Sequence, residues 1–195
     1  MTEEQNKWNA RWRDKAASAD WQADPWLLRV YPLLEKQVAG GRALDLACGA
    51  GRNAIYLAEQ GLQVTAVDIA EVALSQLLSE GKRRKLSIST LQLDLEAPEP
   101  RWPAGPFDLV LDFFFLSRPL LTRFAQIVRP GGFAVVRTFS SAASDLFGEV
   151  DTNFALRPGE LPEIFSGWQV LLHEEGLEPS RKGGSLAGIV ARRQT

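Results

Sequence analysis

Residues 43–54 contain Ala-Leu-Asp-Leu-Ala-Cys-Gly-Ala-Gly-Arg-Asn-Ala. An apolar strand predicted over residues 43–47 leads into a turn with glycines at 49 and 51, and then into a helix predicted over residues 53–60. The two glycines permit a tight turn and a close approach of the backbone to a ligand, and Ala54 takes the small third position of the G-x-G-x-x-G/A pattern. This stretch is typical of the first strand-turn-helix unit of a ligand-binding α/β fold.

Further along the chain, short apolar runs alternate with helical segments, as in a parallel sheet with crossover helices. The predicted strands are residues 43–47, 63–67, 87–93, 107–111, 133–139, 168–174 and 186–191. The other predicted helices are residues 71–85, 119–128 and a short turn around 160–165. The loop between the last two strands, residues 175–184, is too short for a crossover helix, so we expect these strands to pair antiparallel. The sequence predicts an α/β fold: a Rossmann-like, doubly wound, mostly parallel seven-stranded sheet with an antiparallel last strand and helices on both faces.

The N-terminal segment has a different character. Thr2 and Gln5 have the spacing of a capping box at the start of a first helix, and Asp24 is expected to cap a second one. We predict a helical preamble or lid over residues 1–41 and the ligand-binding domain over residues 42–195. The preamble either docks its tryptophan rings on the core or folds over the ligand site, and these rings belong to Trp8, Trp12, Trp21 and Trp26.

The composition excludes several classes of protein. The chain has 195 residues, 45% of them apolar, and it lacks the about 20 uninterrupted apolar residues of a membrane-spanning helix. The 22 basic residues are balanced by 24 acidic ones, so the chain has no excess of positive charge. Neither nucleic acid nor an anionic membrane is therefore expected as a partner. One cysteine and one histidine argue against a disulfide and a metal site. We expect a cytoplasmic monomer or homodimer that binds a small molecule, because the N-terminus lacks the pattern of a secretory signal.

Two acidic residues narrow the class of ligand. Asp68 ends the second strand nineteen residues after Gly49, where a carboxylate can bind both hydroxyls of a ribose. Asp45 precedes Gly49 by four residues, where it would repel the pyrophosphate of a dinucleotide. S-adenosyl-L-methionine instead carries an ammonium that Asp45 can attract, and a carboxylate that backbone amides near Arg52 and Asn53 can bind. The residues therefore favour S-adenosyl-L-methionine over NAD, and a P-loop is excluded because no Lys-Ser/Thr pair follows the glycines.

Five short motifs follow one another between residues 42 and 139. They are Asp-Leu-Ala-Cys-Gly-Ala-Gly-Arg-Asn-Ala at 45–54, Val-Asp at 67–68, Leu-Asp-Leu at 93–95, Phe-Asp-Leu-Val at 107–110 and Arg-Pro-Gly-Gly at 129–132. In this order they resemble class I S-adenosylmethionine-dependent methyltransferases. Residues 48–53, together with Leu-Arg-Pro-Gly-Glu-Leu at 156–161, also resemble the tellurite-resistance-B-like branch of small methyltransferases. The resemblance identifies residues 42–195 as a methyltransferase domain.

The resemblance implies cofactor contacts at the ends of the first four strands, which agrees with the usual ligand position in open α/β sheets. Asp45 and the loop backbone would hold the methionine part, Asp68 would bind the ribose, and Asp94 with the Leu95 backbone would meet the adenine amine. Asp112 and Phe113 would wall the pocket beside the sulfonium. With the Asn53 amide, the predicted cofactor residues are Asp45, Ala47, Cys48, Gly49, Ala50, Gly51, Asn53, Asp68, Ile69, Asp94, Leu95, Asp112 and Phe113.

The sequence motifs for binding the methyl acceptor are weaker than those for binding the cofactor. Arg52, Ser117 and Arg118 are expected at the same sheet end as the sulfonium, and Trp12 is a further substrate-side candidate through the lid. In the resembling branch, a bulkier or imidazole-bearing residue often stands at the position of Ser117. This departure leaves a general base, and with it the catalytic residues, unassigned.

The predicted reaction is in-line transfer of a methyl group to a small acceptor, such as a thiol, an oxyanion or another small metabolite, with S-adenosyl-L-homocysteine as the product. Alignment supplies much of the rate in such a displacement, and neither Cys48 nor His173 is expected to act as a catalyst. Two alternatives stay open: a non-catalytic module that binds the cofactor, and a less favoured NAD-dependent oxidoreductase. A nucleic-acid amino-methyltransferase is disfavoured because Asp-Phe-Phe-Phe at 112–115 replaces its expected Pro-Pro-aromatic run.

Overall fold

The computed structural model describes residues 2–15, 20–98 and 100–195. The chain divides into two compact units, residues 1–109 and 110–195. This division differs from the one predicted at residue 41, and the N-terminal boundary stays a prediction. Among the described residues, no helix combines the length and the apolar character needed to span a membrane.

The described strands form one seven-stranded sheet. They are β1 Arg42–Leu46, β2 Gln63–Asp68, β3 Ile88–Gln92, β4 Phe107–Phe113, β5 Val128–Ser140, β6 Trp168–Pro179 and β7 Ser185–Arg193. Their order in the sheet is β3-β2-β1-β4-β5-β7-β6. Strands β1, β2 and β3 pair parallel, whereas β7 pairs antiparallel with both β5 and β6. The predicted Rossmann-like sheet with an antiparallel last strand is confirmed.

Helices precede and connect the strands. They are α1 Glu3–Lys15, α2 Pro25–Val30, α3 Glu35–Val38, α4 Arg52–Glu59, α5 Glu71–Arg84, α6 Arg118–Thr122, α7 Phe124–Ile127, α8 Ser144–Phe147 and α9 Glu160–Ile164. The capping box that opens α1 is confirmed, because the Gln5 amide donates to Thr2 Oγ1 at 3.2 Å and the Thr2 amide donates to Gln5 Oε1 at 3.3 Å.

Strand β1 lies in the interior of the first unit. Its residues Ala43, Leu44 and Leu46 are fully buried, and Asp45 between them is also buried. Such a continuous buried run is typical of a central parallel strand that is covered on both faces. Burial of a carboxylate in this position costs free energy unless the group is hydrogen-bonded or binds a ligand. Asp45 is therefore a candidate ligand-binding residue.

The single helix predicted over residues 119–128 is wrong. Helices α6 and α7 occupy this stretch, and Arg123 separates them. Thr122 Oγ1 donates to the Pro119 carbonyl at 2.9 Å, a local bond that competes with a continuing helix. Strand β5 already begins at Val128, so residues 129–132 lie within this strand and do not form a separate turn.

Strand β6 is longer than predicted. It extends through Pro179, whereas the sequence predicted a loop over residues 175–184. Register shifts interrupt its pairing with β7 between Val170 and Leu172 and between Glu175 and Pro179, and Gly176 has a φ of 74°. Such irregularities interrupt the alternation of buried and exposed side chains from which a strand is predicted. The antiparallel pairing that was predicted for these two strands is confirmed.

Candidate functional site

The turn between β1 and α4 is tight and left-handed. Ala47, Gly49 and Gly51 have φ values of 48°, 57° and 83°, and Gly51 is the residue that precedes the first turn of α4. The Cys48 amide donates to the Val67 carbonyl at 3.0 Å, and the Gly51 amide donates to the Cys48 carbonyl at 2.9 Å. These bonds fix the loop against the end of β2, with Ala50 half-buried at its tip.

Asp68 holds the glycine loop from the end of β2. Its Oδ2 accepts the Gly49 amide at 2.7 Å and its Oδ1 accepts the Ala70 amide at 2.8 Å. Burial raises the pKa of Asp68, while the amides of Ala70, Gly49 and Ile69 act in the opposite direction. A carboxylate offers about four acceptor positions, so these bonds leave capacity for the hydroxyl groups of a ligand.

Asp45 carries a buried oxygen that has no partner among the residues that the structure describes. The Ala54 amide donates to this carboxylate, but Oδ2 has no hydrogen bond although the residue is only 2% exposed. Burial raises the pKa of Asp45 to about 7, the charge of Asp68 adds to this shift, and the Ala54 amide and Arg52 oppose it. A positively charged ligand group would both satisfy Oδ2 and stabilise the ionised form.

The Cys48 thiol lies in the same loop but is not activated. Burial raises its pKa well above the ordinary value, and the charges of Asp45 and Asp68 raise it further. Its Sγ donates to the Gly49 carbonyl at 3.4 Å. A thiol that stays protonated at neutral pH is a poor nucleophile. This chemistry supports the prediction that the loop uses Cys48 for its backbone.

The N-terminal helix α1 places an aromatic ring against the glycine loop. A Cβ atom built on Gly49 would lie 2.5 Å from Cζ2 of Trp12, so only glycine permits this approach. Two bonds hold α1 on α5: the Val72 amide donates to Asn9 Oδ1 at 3.0 Å, and Gln76 Nε2 donates to the Trp12 carbonyl at 3.2 Å. The glycine loop therefore contacts the Trp12 ring, and its backbone is hydrogen-bonded to Asp68.

A second contact fastens the N-terminal segment to α4. Arg52 Nη2 donates to Asp24 Oδ2 at 2.8 Å, and the Asp24 amide donates to Asn53 Oδ1 at 2.9 Å. The Trp26 amide donates to Asp24 Oδ1 at 3.0 Å, which confirms the predicted cap of α2. Arg52 and Asn53, predicted for substrate and cofactor, thus also anchor the segment that precedes the sheet.

Replacing Asp24 with alanine should lower the free energy of unfolding by about 2 kcal/mol, since the cap and the bond to Arg52 are lost together. Urea unfolding of the parent and the variant measures this difference. The exposed Asp14 on α1 provides a control, because Asp14→Ala should change the value by less than about 0.5 kcal/mol. Equal effects of the two substitutions would contradict the anchoring role of Asp24.

The predicted adenine residues follow β2 and β3. Ile69 is half-buried, and its carbonyl accepts Gln92 Nε2 at 3.1 Å. Asp94 Oδ1 accepts the Glu96 amide at 2.9 Å, which forms a turn after β3, and Leu95 is buried. Asp94 therefore shapes the loop that presents Leu95.

The remaining predicted residues belong to the second unit. Asp112 is fully buried near the end of β4, and Phe113 after it is 8% exposed. Phe114 has a φ of 62°, unusual for a bulky residue, and its amide donates to the Arg137 carbonyl at 2.8 Å. Such strained residues are frequent at functional sites. Ser117 is half-buried and directly precedes α6, without a capping bond from its side chain.

Arg118 is held by a buried carboxylate. Its Nε donates to Glu160 Oε1 at 2.5 Å, and its Nη2 donates to Glu160 Oε2 at 3.0 Å and to the Ala155 carbonyl at 3.1 Å. The bond from Arg118 holds the pKa of Glu160 below its ordinary value. Arg118, predicted to contact the substrate, is thus fixed in one orientation, with Nη1 left available for a ligand.

The structure gathers the predicted residues of the first unit around one loop. Asp68 bonds to this loop, Trp12 lies against it, and the charge of Asp45 acts on Cys48 within it, whereas Asp94 and Leu95 form the next loop along the sheet. Sequence reasoning missed Asn9 and Glu160, because their partners lie 63 and 42 residues away. Among the described residues, no group of three His, Cys, Asp or Glu side chains could hold a metal ion.

Comparison with known proteins defines the class. A model of the methyltransferase domain family matches residues 43–132, which make up slightly less than half of the chain. The magnesium protoporphyrin IX methyltransferase ChlM from Synechocystis PCC 6803, solved with bound S-adenosyl-L-homocysteine, has the same fold. Its TM-score is 0.72 at 14% identity, over 98% of each chain. The sheet, the glycine loop and the acidic strand ends resemble those of class I S-adenosylmethionine-dependent methyltransferases.

Within this class, the resemblance to the TehB-like branch is confirmed. The chain is 26% identical over 149 residues to the probable S-adenosyl-L-methionine-dependent methyltransferase TehB of Haemophilus influenzae, covering 73% of this chain and 51% of that protein. The crystal structure of TehB from Haemophilus influenzae superposes with a TM-score of 0.70 at 23% identity, over 85% of this chain and 62% of that one. The ubiquinone biosynthesis O-methyltransferase of Marinobacter nauticus is 29% identical over 197 residues, which cover 95% and 79% of the two chains. The chain spans about half the length of the first curated relatives it matches.

Proposed function

We propose that the chain is an S-adenosyl-L-methionine-dependent methyltransferase that acts on a small molecule. The observation that carries this proposal is the buried, unpartnered Oδ2 of Asp45 beside the glycine loop. The ammonium of S-adenosyl-L-methionine would supply the missing partner, whereas the pyrophosphate of a dinucleotide would meet a like charge. The same oxygen therefore favours this cofactor over NAD.

The other cofactor groups have matching partners in the first unit. Asp68 keeps acceptor capacity for the ribose hydroxyls, although two of its positions already hold the amides of Gly49 and Ala70. Ile69 is half-buried at the end of β2, which suits packing against one face of the adenine, with the Leu95 loop at the next strand end. In the second unit, Asp112 and Phe113 end β4, where the proposal places the sulfonium.

Residues 1–41 act as a lid in this proposal. Trp12 lies against Gly49, and Asp24 is bonded to Arg52 and Asn53 at the start of α4. A segment fastened at these two points would exclude water from the methionine part of the cofactor. Exclusion of water favours methyl transfer, because water competes with the acceptor for the activated carbon.

When bound, S-adenosyl-L-methionine supplies a methyl group on a sulfonium, and in-line attack by the acceptor leaves S-adenosyl-L-homocysteine. The chain contributes alignment and charge to this step. Arg118, fixed by Glu160, offers Nη1 to an anionic acceptor, and Ser117 offers a hydroxyl next to it. We propose a thiol, an oxyanion or another small metabolite as the acceptor. The cytoplasmic location and the monomeric or homodimeric state stay predictions.

Two measurements test the proposal. Titration calorimetry should detect binding of S-adenosyl-L-homocysteine and no binding of NAD. Binding of NAD without binding of S-adenosyl-L-homocysteine would overturn the choice of cofactor. A screen with S-adenosyl-L-methionine labelled in its methyl group, run against thiols, chalcogen oxyanions and small metabolites, should then transfer label to at least one acceptor. Binding of the cofactor without transfer to any of them would favour the non-catalytic module.

A further inference from the structure

Lys182 holds its ammonium between two aromatic rings of the second unit. Nζ lies 5.0 Å from the ring centre of Phe139 and 5.8 Å from that of Phe154. Within residues 2–15, 20–98 and 100–195, no carboxylate pairs with this ammonium. The ring faces attract the cation but leave its outer side open, so a positive charge has a defined position there without a neutralising partner.

The backbone fixes Lys182 in this position. Gly183 has a φ of 83°, and a Cβ atom there would collide with the carbonyl of Glu149, so the chain approaches as closely as only glycine allows. The Gly184 amide donates to the Gly148 carbonyl at 2.7 Å, and the Lys182 amide donates to Ser180 Oγ at 3.1 Å. The turn between β6 and β7 is therefore bonded to the segment that follows α8.

The rings belong to the end of the sheet where ligands bind. Phe139 is the second-last residue of β5, and it packs with Val150 and Ala155. Phe114, directly after β4, lies against the same cluster, with ring centres of Phe114 and Phe139 5.6 Å apart. The carboxyl ends of β4 and β5 are where an open α/β sheet places its substrate. Lys182 thus lies at the rim of the region expected for the methyl acceptor.

Arg118, Glu160 and Glu175 near this cluster have bonded partners of their own. The Ala155 carbonyl accepts Arg118 Nη2, and Glu160 binds the same guanidinium. Glu175 accepts Ser140 Oγ at 2.7 Å through Oε1 and the Gly159 amide at 2.9 Å through Oε2. Lys182 differs from these groups because none of the described carboxylates forms an ion pair with its ammonium. Phe154 beside it is 61% exposed, a large apolar surface that a ligand could cover.

We propose that the methyl acceptor is an aromatic molecule with a carboxylate, that Lys182 binds this carboxylate, and that Phe154 packs against the aromatic ring. This inference rests on the proposed methyltransferase function and narrows its substrate class. The charge of Lys182 favours the carboxylate of the acceptor, while the exposed ring of Phe154 favours its flat aromatic ring. Both residues determine specificity and take no part in the chemistry of the methyl group.

The test uses 2-naphthoate as the anionic aromatic probe and 2-naphthol as its neutral counterpart at pH 7. Titration calorimetry of each is performed with the full chain in excess S-adenosyl-L-homocysteine. Lys182→Met should weaken binding of naphthoate about fivefold and leave naphthol unchanged, because a single partly exposed charge pair is lost. Lys182→Arg should retain most of the affinity for naphthoate. The exposed Lys36 of α3 gives the matched control, since Lys36→Met should change neither.

Phe154→Ala provides a second variant, which should weaken the binding of both probes to a similar extent. Naphthoate binding that is equal in the parent and in Lys182→Met would overturn the inference, as would a parent that binds neither probe. A separate titration with S-adenosyl-L-homocysteine alone keeps the two proposals distinguishable. If that titration shows binding, failure with naphthoate concerns only the acceptor class; if it shows none, the methyltransferase proposal itself fails.

Discussion

Replacement of Asp45 by asparagine should weaken the binding of S-adenosyl-L-methionine about 10- to 100-fold, because a charged hydrogen bond to the ligand ammonium is lost. The same substitution should make the free chain more stable at pH 8. Asp45 is 2% exposed and its Oδ2 has no partner, so the ionised carboxylate is costly in the folded chain. Opposite changes in binding and stability would separate this effect from simple misfolding.

The direction of the stability change follows from the pKa. Burial raises the pKa of Asp45 from 3.8 to about 7 in the folded chain. Between these two values the folded state retains a proton that the unfolded state has lost, so the parent loses stability as the pH rises through this window. Asparagine does not titrate. At pH 8, Asp45→Asn should therefore raise the free energy of unfolding by about 1 to 3 kcal/mol, measured by urea unfolding.

Binding should show the complementary pH dependence. Since the pKa of Asp45 is raised to about 7, most of the carboxylate is ionised at pH 8 and little of it at pH 6. The dissociation constant of S-adenosyl-L-methionine should thus be about fivefold higher at pH 6 than at pH 8 in the parent, because the gain in ionised carboxylate exceeds the roughly twofold loss of charged ligand ammonium, and Asp45→Asn should lack this rise at pH 6. Asp14→Asn on the exposed face of α1 should behave like the parent. A pH profile shared by the parent and Asp45→Asn would contradict the assignment.

The parts of the site that the sequence predicts are local in the chain. The glycine loop, Asp45 and Asp68 follow from the spacing within one strand-turn-helix-strand unit, where a few residues determine the turn and the strand ends. The strand positions follow from apolar runs that a parallel sheet buries on both faces. For this reason the sheet, the glycine turn and the positions of Asp45 and Asp68 at the strand ends could be predicted before the structure, whereas their contacts with a cofactor stay a proposal.

The missed features depend on contacts between distant residues. No local spacing indicates that Glu160 would hold Arg118, that Asn9 would bond to the Val72 amide, or that Lys182 would lie on Phe139. Helix α6 ends at Thr122, whose hydroxyl bonds to the Pro119 carbonyl, and β6 continues through irregular pairing. Periodicity describes which face of an element is buried, but not which side chain from elsewhere meets it.

The contact between Gly49 and Trp12 should produce the second large effect. Gly49→Ala places a methyl group 2.5 Å from Trp12 Cζ2, at a position whose φ is 57°. Backbone strain and overpacking together should lower the free energy of unfolding by about 2 to 4 kcal/mol. Binding of S-adenosyl-L-homocysteine should weaken about tenfold, because the loop cannot keep its shape against the ring. Urea unfolding and titration calorimetry measure the two changes.

A double-mutant cycle separates the strain from the clash. Trp12→Ala removes the ring, so the clash part of the Gly49→Ala effect should vanish in the double variant while the backbone strain remains. The loss of stability in the double variant should then be smaller than the sum of the single losses by about 1 kcal/mol or more. Trp21→Ala combined with Gly49→Ala is the matched control and should be additive. Additivity in the Trp12 cycle would mean that α1 does not lie on the glycine loop in solution, and the lid proposal would lose its structural basis.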